Sequence, residues 1–350
     1  MSHHPQTSPP DYRIEDCRTK VVNMVHAATG QLDVIVTAGD RGASRPVLKT
    51  NKVFLPLAGI PVINYVLSAV EKARATARIF VVGDKRRLEE ALSVANSPFQ
   101  GRCPIILIEQ SDSLYDNVWK AFLHTLPGYE PGMDWHLFAE SAADKAVLVM
   151  PGDIPLATPE EIDAFVDQCD LTRYDYFLGL TPESALEPYV PQAERPGIRM
   201  AHFSLRDTRV RQNNLHLVKP LRIANRHYIQ RVYNHRYQKR LFDILTLFWQ
   251  IIILPDVSFR CLAAFVCLHI AQMVTRLGWE TFPLFRPFFI DLSMLASHFS
   301  QALQTRMTMV TTYYGGCTLD VDNAEHYEAI CANFTRWLAH QERLAKELKD

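Results

Sequence analysis

Runs of apolar residues that end abruptly in glycine or an acid alternate, over the first half of the chain, with segments whose apolar positions recur three and four residues apart. The β-branched run LDVIVTAG at 32 to 39 predicts a strand, after which a polar loop carries the chain to Lys52. Within VFLPLAGIPVINYVLSAVEKA, Val62, Tyr65, Val66, Ala69 and Val70 stand at helical spacing. RIFVVGD at 78 to 84, PIILIEQ at 104 to 110 and KAVLVMPGD at 145 to 153 predict further strands, with helices in KRRLEEALSVA and LYDNVWKAFLHTL between them. Such alternation predicts a parallel sheet with crossover helices. YDYFLGLTP at 174 to 182 reads as another strand and MAHFSLRDTRVRQNNLHLVKP at 200 to 220 as a hairpin-rich segment.

The stretch VLVMPGDIPLATPEEI places a carboxylate, Asp153, directly after a run that would be buried on both faces. Thr158-Pro159-Glu160-Glu161 then reads as an N-cap, a first-turn proline and two acids, so a helix starts a few residues on. Asp153 therefore belongs to the carboxyl end of a strand in a strand–loop–helix unit, the edge where open α/β sheets bind ligands.

The pattern changes at residue 223. From there to 308 helical runs dominate, among them LFDILTLFWQIIIL at 241 to 254 and CLAAFVCLHIAQMV at 261 to 274, each shorter than the ~20 apolar residues of a bilayer span. RHYIQRVYNHRYQKR at 226 to 240 interleaves arginine with tyrosine, as a solvated basic face or an interfacial helix does. The last unit, YYGGCTLDVDNAEHYE and onward, predicts a short strand ending in Asp320-Val321-Asp322, an N-cap at Asn323 and a long amphipathic closing helix. The expected organisation is an N-terminal extension over 1–30, a core over 31–222, a helical insertion over 223–308 and a return to the core over 309–350.

Composition narrows the classes. With 48% hydrophobic and 21% charged residues and a formal net charge of −1, the chain has no general pull toward nucleic acid. Its seven cysteines are scattered and contain no CxxC pair, which favours a reducing compartment over a disulfide framework or zinc site. Cys103 and Cys317 read as buried thiols beside strands, and no histidine pair has metal-ligand spacing on a helix. MSHHPQTSPP is polar and proline-rich, unlike a signal peptide, so a disordered start and a cytoplasmic location are expected.

The candidate chemistry gathers at predicted strand ends: the loop TAGDRGASRP with Ala38, Gly39, Arg41, Gly42 and Arg45, then Lys52, Asp153 and Asp322. Loops at the carboxyl ends of parallel strands share one edge, so all of these can face one crevice. Two carboxylates drawn together repel each other, and holding Mg²⁺ (or Mn²⁺) is the usual reason to tolerate that. A glycine loop offers backbone N–H groups to phosphate oxygens, and a lysine offers a point charge. The set suits displacement at the α-phosphorus of a nucleoside triphosphate.

These residues resemble the MobA-like nucleotidyltransferases, which have a GT-A-like, Rossmann-related fold. In VIVTAGDRGASRP and NKVFLPLAGIPVINYVL, Gly39, Lys52, Gly59 and Pro61 fall on the family's opening pattern, while Asp40 stands where the family carries a second glycine. The resemblance implies a three-layer α/β sandwich with a mainly parallel sheet, in which Gly39 with Arg41 or Arg45 holds the triphosphate and Lys52 contacts its phosphates. LVMPGDIPLAT carries over Asp153 as a metal ligand, and LDVDNAEHYE carries over Asp322 as the second, ahead of Asp320. QNNLHLVKP is similar to a family segment that places Asn214 near the acceptor, and Arg206, Arg209 and Arg211 lead into it, with Arg211 nearest. Asn117, in SDSLYDNVWKAF, is open to two roles, hydrogen-bonding a base or opening its helix.

The expected activity is Mg²⁺-dependent transfer of a nucleotidyl group from an NTP to a phosphorylated small-molecule or lipid-linked acceptor, with release of pyrophosphate. Two other readings stay open: a GT-A glycosyltransferase using an NDP-sugar, and a non-catalytic nucleotide-binding or membrane-docking module, which Asp40 and the apolar insertion favour. The insertion is open to closing over the acceptor, forming a homodimer interface, or making peripheral contact with the inner membrane face through 226–274.

Overall fold

β1 (Leu32–Ala38) is apolar along nearly its whole length because it lies mid-sheet with helices on both faces. The computed structural model describes residues 30–41, 46–193, 195–226, 259–279 and 283–348, and the apolar run at 241–254 and the basic segment 227–240 lie outside these. The further strands are β2 (Pro56–Leu57), β3 (Ile60–Pro61), β4 (Thr76–Gly83), β5 (Ile105–Glu109), β6 (Val147–Pro151), β7 (Tyr176–Pro182), β8 (Phe203–Ser204), β9 (Arg209–Val218) and β10 (Met307–Thr311). Among the described residues, β2 and β3 form a small ribbon, and the others form one sheet in the order β10-β7-β9-β6-β1-β4-β5, with β8 paired to β9. β1 pairs in parallel with β4 and β6, β4 with β5, and β7 with β10. β9 runs antiparallel to both β6 and β7. The fold is a mainly parallel, GT-A-like α/β sandwich, as expected.

Alternate residues of β1 feed two separate cores. Val34, Val36 and Ala38 pack with Ile63, Val66 and Val70 of α1 (Val62–Lys72) and with Ile162, Phe165 and Val166 of α4 (Pro159–Val166). Ile35, with Phe80 and Val82, packs on the other face against Ala121 and Phe122 of α3 (Leu114–Thr125). α2 (Lys85–Leu92) starts at an Asp84 cap. Each large side chain so buried contributes about 1.5–3 kcal/mol, against about 1 kcal/mol for a helix cap, so packing fixes the layers and caps set the helix starts.

After the short α5 (Glu183–Leu186), β8 and β9 form the hairpin expected at 200–220, and β9 is drawn between β6 and β7. The helices expected as an insertion pack on that hairpin. α6 (Phe259–Arg276) and α7 (Leu292–Leu303) flank a 3-10 segment at Pro283–Phe288, and Ile290 and Leu295 share a core with Leu180, Leu205 and Val210. Arg206 N–H donates to Ile290 O at 3.0 Å, and Gln272 Nε2 donates to His202 O at 3.4 Å. Among the described residues, no helix is long and apolar enough to cross a membrane.

One expected strand is absent. No strand ends at Asp320-Val321-Asp322; the edge strand is β10, and Gly316–Thr318 form a 3-10 turn. The buried Leu319 and Val321 alternate with half-buried aspartates as strand residues would, but their backbone meets a loop instead of a sheet edge. Asn323 then caps α8 (Ala324–Glu347), whose Ile330 and Trp337 pack against Leu57, Val62 and Tyr189.

Candidate active site

The carboxyl end of β1 places the lysine. Asn51 donates from Nδ2 to Ala38 O at 2.9 Å and accepts at Oδ1 from Val53 N–H at 3.2 Å, which starts a single 3-10 turn at Lys52. Lys52 Nζ is ion-paired with Asp153 Oδ2 and lies 3.5 Å from Asp322 Oδ1. Burial pulls the ammonium toward its neutral form, but Asp153, Asp322 and Asp320 outweigh it and hold the pKa above the usual lysine value. The Asp153 side chain is only 5% exposed, and its Oδ1 is buried without a hydrogen-bond partner among the described residues.

Asp153 and Asp322 meet because two loops are fastened together. Val321 N–H donates to Asp153 O at 3.1 Å. Behind that bond lies Glu161, wholly buried, which accepts from Cys317 N–H at 2.8 Å and from Thr312 Oγ1 at 3.3 Å. Burial raises its carboxyl pKa to about 7, against the hydrogen bonds from Cys317, which lower it. Gly316 passes so close to Leu156 O that a Cβ would collide with it. Asp320 lies against Asp322 and pairs with Arg211 Nη2 at 3.1 Å. Burial and the neighbouring Asp322 push its carboxyl pKa up, with Arg211 and Lys52 opposing them.

The loop after β1 rests on β5 and α3. A Cβ on Gly39 would stand 2.8 Å from Asn117 Nδ2 and 3.1 Å from Gln110 Oε1, so any larger residue would displace these two side chains. Gln110 accepts from Asp40 N–H and donates to Asp40 Oδ1, both at 2.9 Å, while Arg87 Nη1 lies 3.6 Å from Asp40 Oδ2. The acid in the glycine loop is thereby neutralised from the side. Arg41 Nη1 donates to Gln110 O at 3.4 Å and lies 3.8 Å from Asp112, while its Nη2 lies 3.7 Å from Glu109. Asn117 is buried, and its Oδ1 accepts from Ser111 N–H at 2.5 Å. Gly42 and Arg45 lie outside the described residues.

Asn214 adopts a left-handed φ of 64° at a bulge of β9 opposite Gly179, and its Nδ2 donates to Cys317 O at 2.9 Å. It braces the turn that leads to Asp320 and Asp322. Arg211 is reached from the same strand, so the structure joins Arg211, Asp320, Asp322, Lys52 and Asp153 into one row of charges. The three carboxylates of that row exceed its two cations by one negative charge. Among the described residues, no group of three or more His, Cys, Asp or Glu side chains converges as a ready metal cage. Mg²⁺ is usually held by one or two carboxylates plus substrate phosphates, so Asp153 with its unpartnered oxygen and Asp322 fit such an ion.

Residues 34–211 match the family described as the MobA-like NTP transferase domain. The chain belongs to that family. No curated protein matches this MobA-like domain in sequence. Its fold is similar to that of a hypothetical transferase from Thermus thermophilus, at 19% identity and a TM-score of 0.55 over 85% of this chain and 99% of the other. More remote likenesses are to CMP:2-keto-3-deoxy-manno-octonic acid synthetase complexed with CTP (13% identity, TM-score 0.42, 87% of this chain and 99% of that one) and to 4-diphosphocytidyl-2C-methyl-D-erythritol synthase from Anaerococcus prevotii (12%, 0.41, 88% and 98%). Those two are too distant to inform the substrate.

Sequence reasoning missed Gln110, Arg87 and Glu161 in this MobA-like domain. Glu161 carried a signal, since Thr158-x-x-Glu161 has capping-box spacing. Thr158 Oγ1 does accept from Glu161 N–H at 3.3 Å, but the glutamate carboxylate turns to the 312–317 segment instead of back to the cap.

Proposed function

We propose that this domain moves a nucleotidyl group from a nucleoside triphosphate to a phosphorylated acceptor, in a reaction that depends on Mg²⁺ or Mn²⁺. The observation that carries the reading is the buried, unpartnered Oδ1 of Asp153 beside Lys52 and Asp322, at the carboxyl edge of the sheet in a MobA-like fold. An acceptor phosphate oxygen forms a bond to the α-phosphorus as the bond from that phosphorus to the β-bridging oxygen breaks, and pyrophosphate leaves. Backbone N–H groups of the loop from Ala38 and Gly39 onward, with Arg41 and, beyond the described residues, Gly42 and Arg45, bind the triphosphate. Lys52 has three donors, two of them directed at Asp153 and Asp322, which leaves one for a phosphate oxygen. When bound, the divalent ion held by Asp153 and Asp322 supplies charge neutralisation at the phosphates. No general base is needed, because a phosphomonoester is largely ionised near neutral pH.

The non-catalytic reading loses its main residue-level support, since Asp40 is occupied by Gln110 and Arg87. Thermal unfolding with each NTP, with and without Mg²⁺, tests the proposal. One nucleotide is expected to raise the midpoint only with Mg²⁺ present, and Asp153→Asn to abolish that rise and Mg²⁺-dependent pyrophosphate release. Pyrophosphate release undiminished in Asp153→Asn would remove the mechanism, and turnover of an NDP-sugar without pyrophosphate would favour the glycosyltransferase.

A further inference from the structure

On the sheet face that adjoins this row of charges, two buried polar atoms have no partner among the described residues. Arg211 Nε is one, and His202 Nε2, on a side chain only 7% exposed, is the other. β8 and β9 pair Phe203 with Val210 and Ser204 with Arg209, so continuing the register sets His202 opposite Arg211, and alternation turns Arg209 to the same face. Val210, between Arg209 and Arg211, and Leu205, beyond Ser204, belong to the core that includes Ile290 and Leu295.

The ion pairs on this face use only one edge of each group. Asp320 takes the Nη2 edge of Arg211 at 3.1 Å, and Glu183 faces Nδ1 of His202 at 3.6 Å while holding Arg209 Nη1 at 2.9 Å. The Nε edge of the guanidinium and the Nε2 edge of the imidazole stay unmatched. A buried donor or acceptor left this way loses its hydration without compensation, and two neighbouring ones point to a ligand. Arg211 Nε–H can only donate, so its partner carries an acceptor oxygen. Nε2 donates or accepts according to the tautomer, and a hydrogen-phosphate group, which has both bare oxygens and an O–H, satisfies it either way.

We infer that Arg211 and His202, with Arg209 at the rim, form an oxyanion subsite that holds the phosphate of the acceptor. As an acceptor site it rests on the transferase reading above; as a phosphate site it does not. Asp320 and Asp322 connect it to Lys52, which puts the held phosphate beside the proposed reaction centre. Burial, followed by Arg209 and Arg211, lowers the His202 pKa to about 4. Through Gln272 and Ile290 the insertion buttresses the strands that carry the subsite, so it acts on acceptor binding from behind the sheet.

Inorganic phosphate is the probe. In the intact chain with ¹⁵N-labelled histidine, a phosphate titration is expected to move, saturably, the one imidazole signal that His202→Asn removes. Arg209→Gln, at a half-exposed position, is expected to weaken the apparent affinity several-fold and Arg211→Gln about tenfold or more, whereas Arg74→Gln, beside Asp167 at the opposite edge of the sheet, leaves it unchanged. The inference falls if the His202 signal stays fixed while phosphate binds elsewhere, or if Arg74→Gln removes the response and Arg209→Gln does not. A His202 response in a chain that shows no Mg²⁺-dependent NTP binding sinks the transferase reading and leaves the phosphate site standing. The reverse pattern sinks the subsite alone.

Discussion

Buried aspartates in this molecule differ in how fully they are satisfied, and that separates structural from functional carboxylates. Asp33 is held by both Arg78 and Lys145, and Asp175 by Arg306 and Lys219. Asp153 has Lys52 on one oxygen and, among the described residues, nothing on the other. Lys52→Gln therefore strands a buried carboxylate, and a loss of about 3–5 kcal/mol is expected in denaturant unfolding with EDTA present. Adding Asp153→Asn to it should return part of that loss, because the two effects share one interaction. Additive effects of the two substitutions would show that the ion pair contributes nothing to the folded state.

At the scale of elements, the site depends on the joint between the α4 start and the turn at 316–318. Glu161 is the fastener, and its carboxyl is shifted up to about 7 from an unfolded value near 4.5. The folded chain therefore binds more protons than the unfolded one between those values. This contribution is fully present below pH 4.5 and is lost as pH rises toward 7, at no more than about 1.4 kcal/mol per pH unit. Glu161→Gln keeps the shape and removes the titration, so its stability relative to wild type should improve across that interval. A stability difference flat from pH 4.5 to 7 would count against the shift. Glu161→Ala removes the acceptor for Cys317 N–H as well, and is expected to lower nucleotidyl transfer as well as stability, since the Asp322 loop loses its anchor.

Over the whole molecule the two edges of the sheet have different tasks. Asp33 and Asp175, with their arginines and lysines, lie at the amino-terminal edge, and Asp153, Asp320 and Asp322 gather at the carboxyl edge. The Asp33 carboxyl resists burial, but Arg78 and Lys145 outweigh it and hold its pKa below the usual range; for Asp175, Arg306 does so. These depressed values stabilise the fold above the unfolded pKa near 3.8, and the benefit is lost as pH falls through the folded values. Acid unfolding of wild type is expected to steepen below about pH 4. Asp33→Asn should be less stable than wild type at neutral pH, with the gap narrowing in acid; a gap that stays constant with pH would refute the assignment.

The sequence by itself determined the repeating strand–helix order, the position of Asp153 just past a strand, and the caps at Thr158 and Asn323, because each is written in local pattern and spacing. It also carried the family, through glycine, lysine and aspartate motifs that a fold of this kind holds at one edge. Tertiary structure alone decided that β9 enters antiparallel between β6 and β7, and that the alternating Leu319–Asp322 stretch is a loop bound to Asp153 and not a strand. It decided that Asp40 faces Arg87, that Glu161 joins the two acidic loops, and that His202 stands beside Arg211. The physical reason is range: hydrophobic period and capping act between neighbours in the chain. A buried charge takes its partner from whatever segment the packed core brings within about 4 Å, often more than a hundred residues away in sequence.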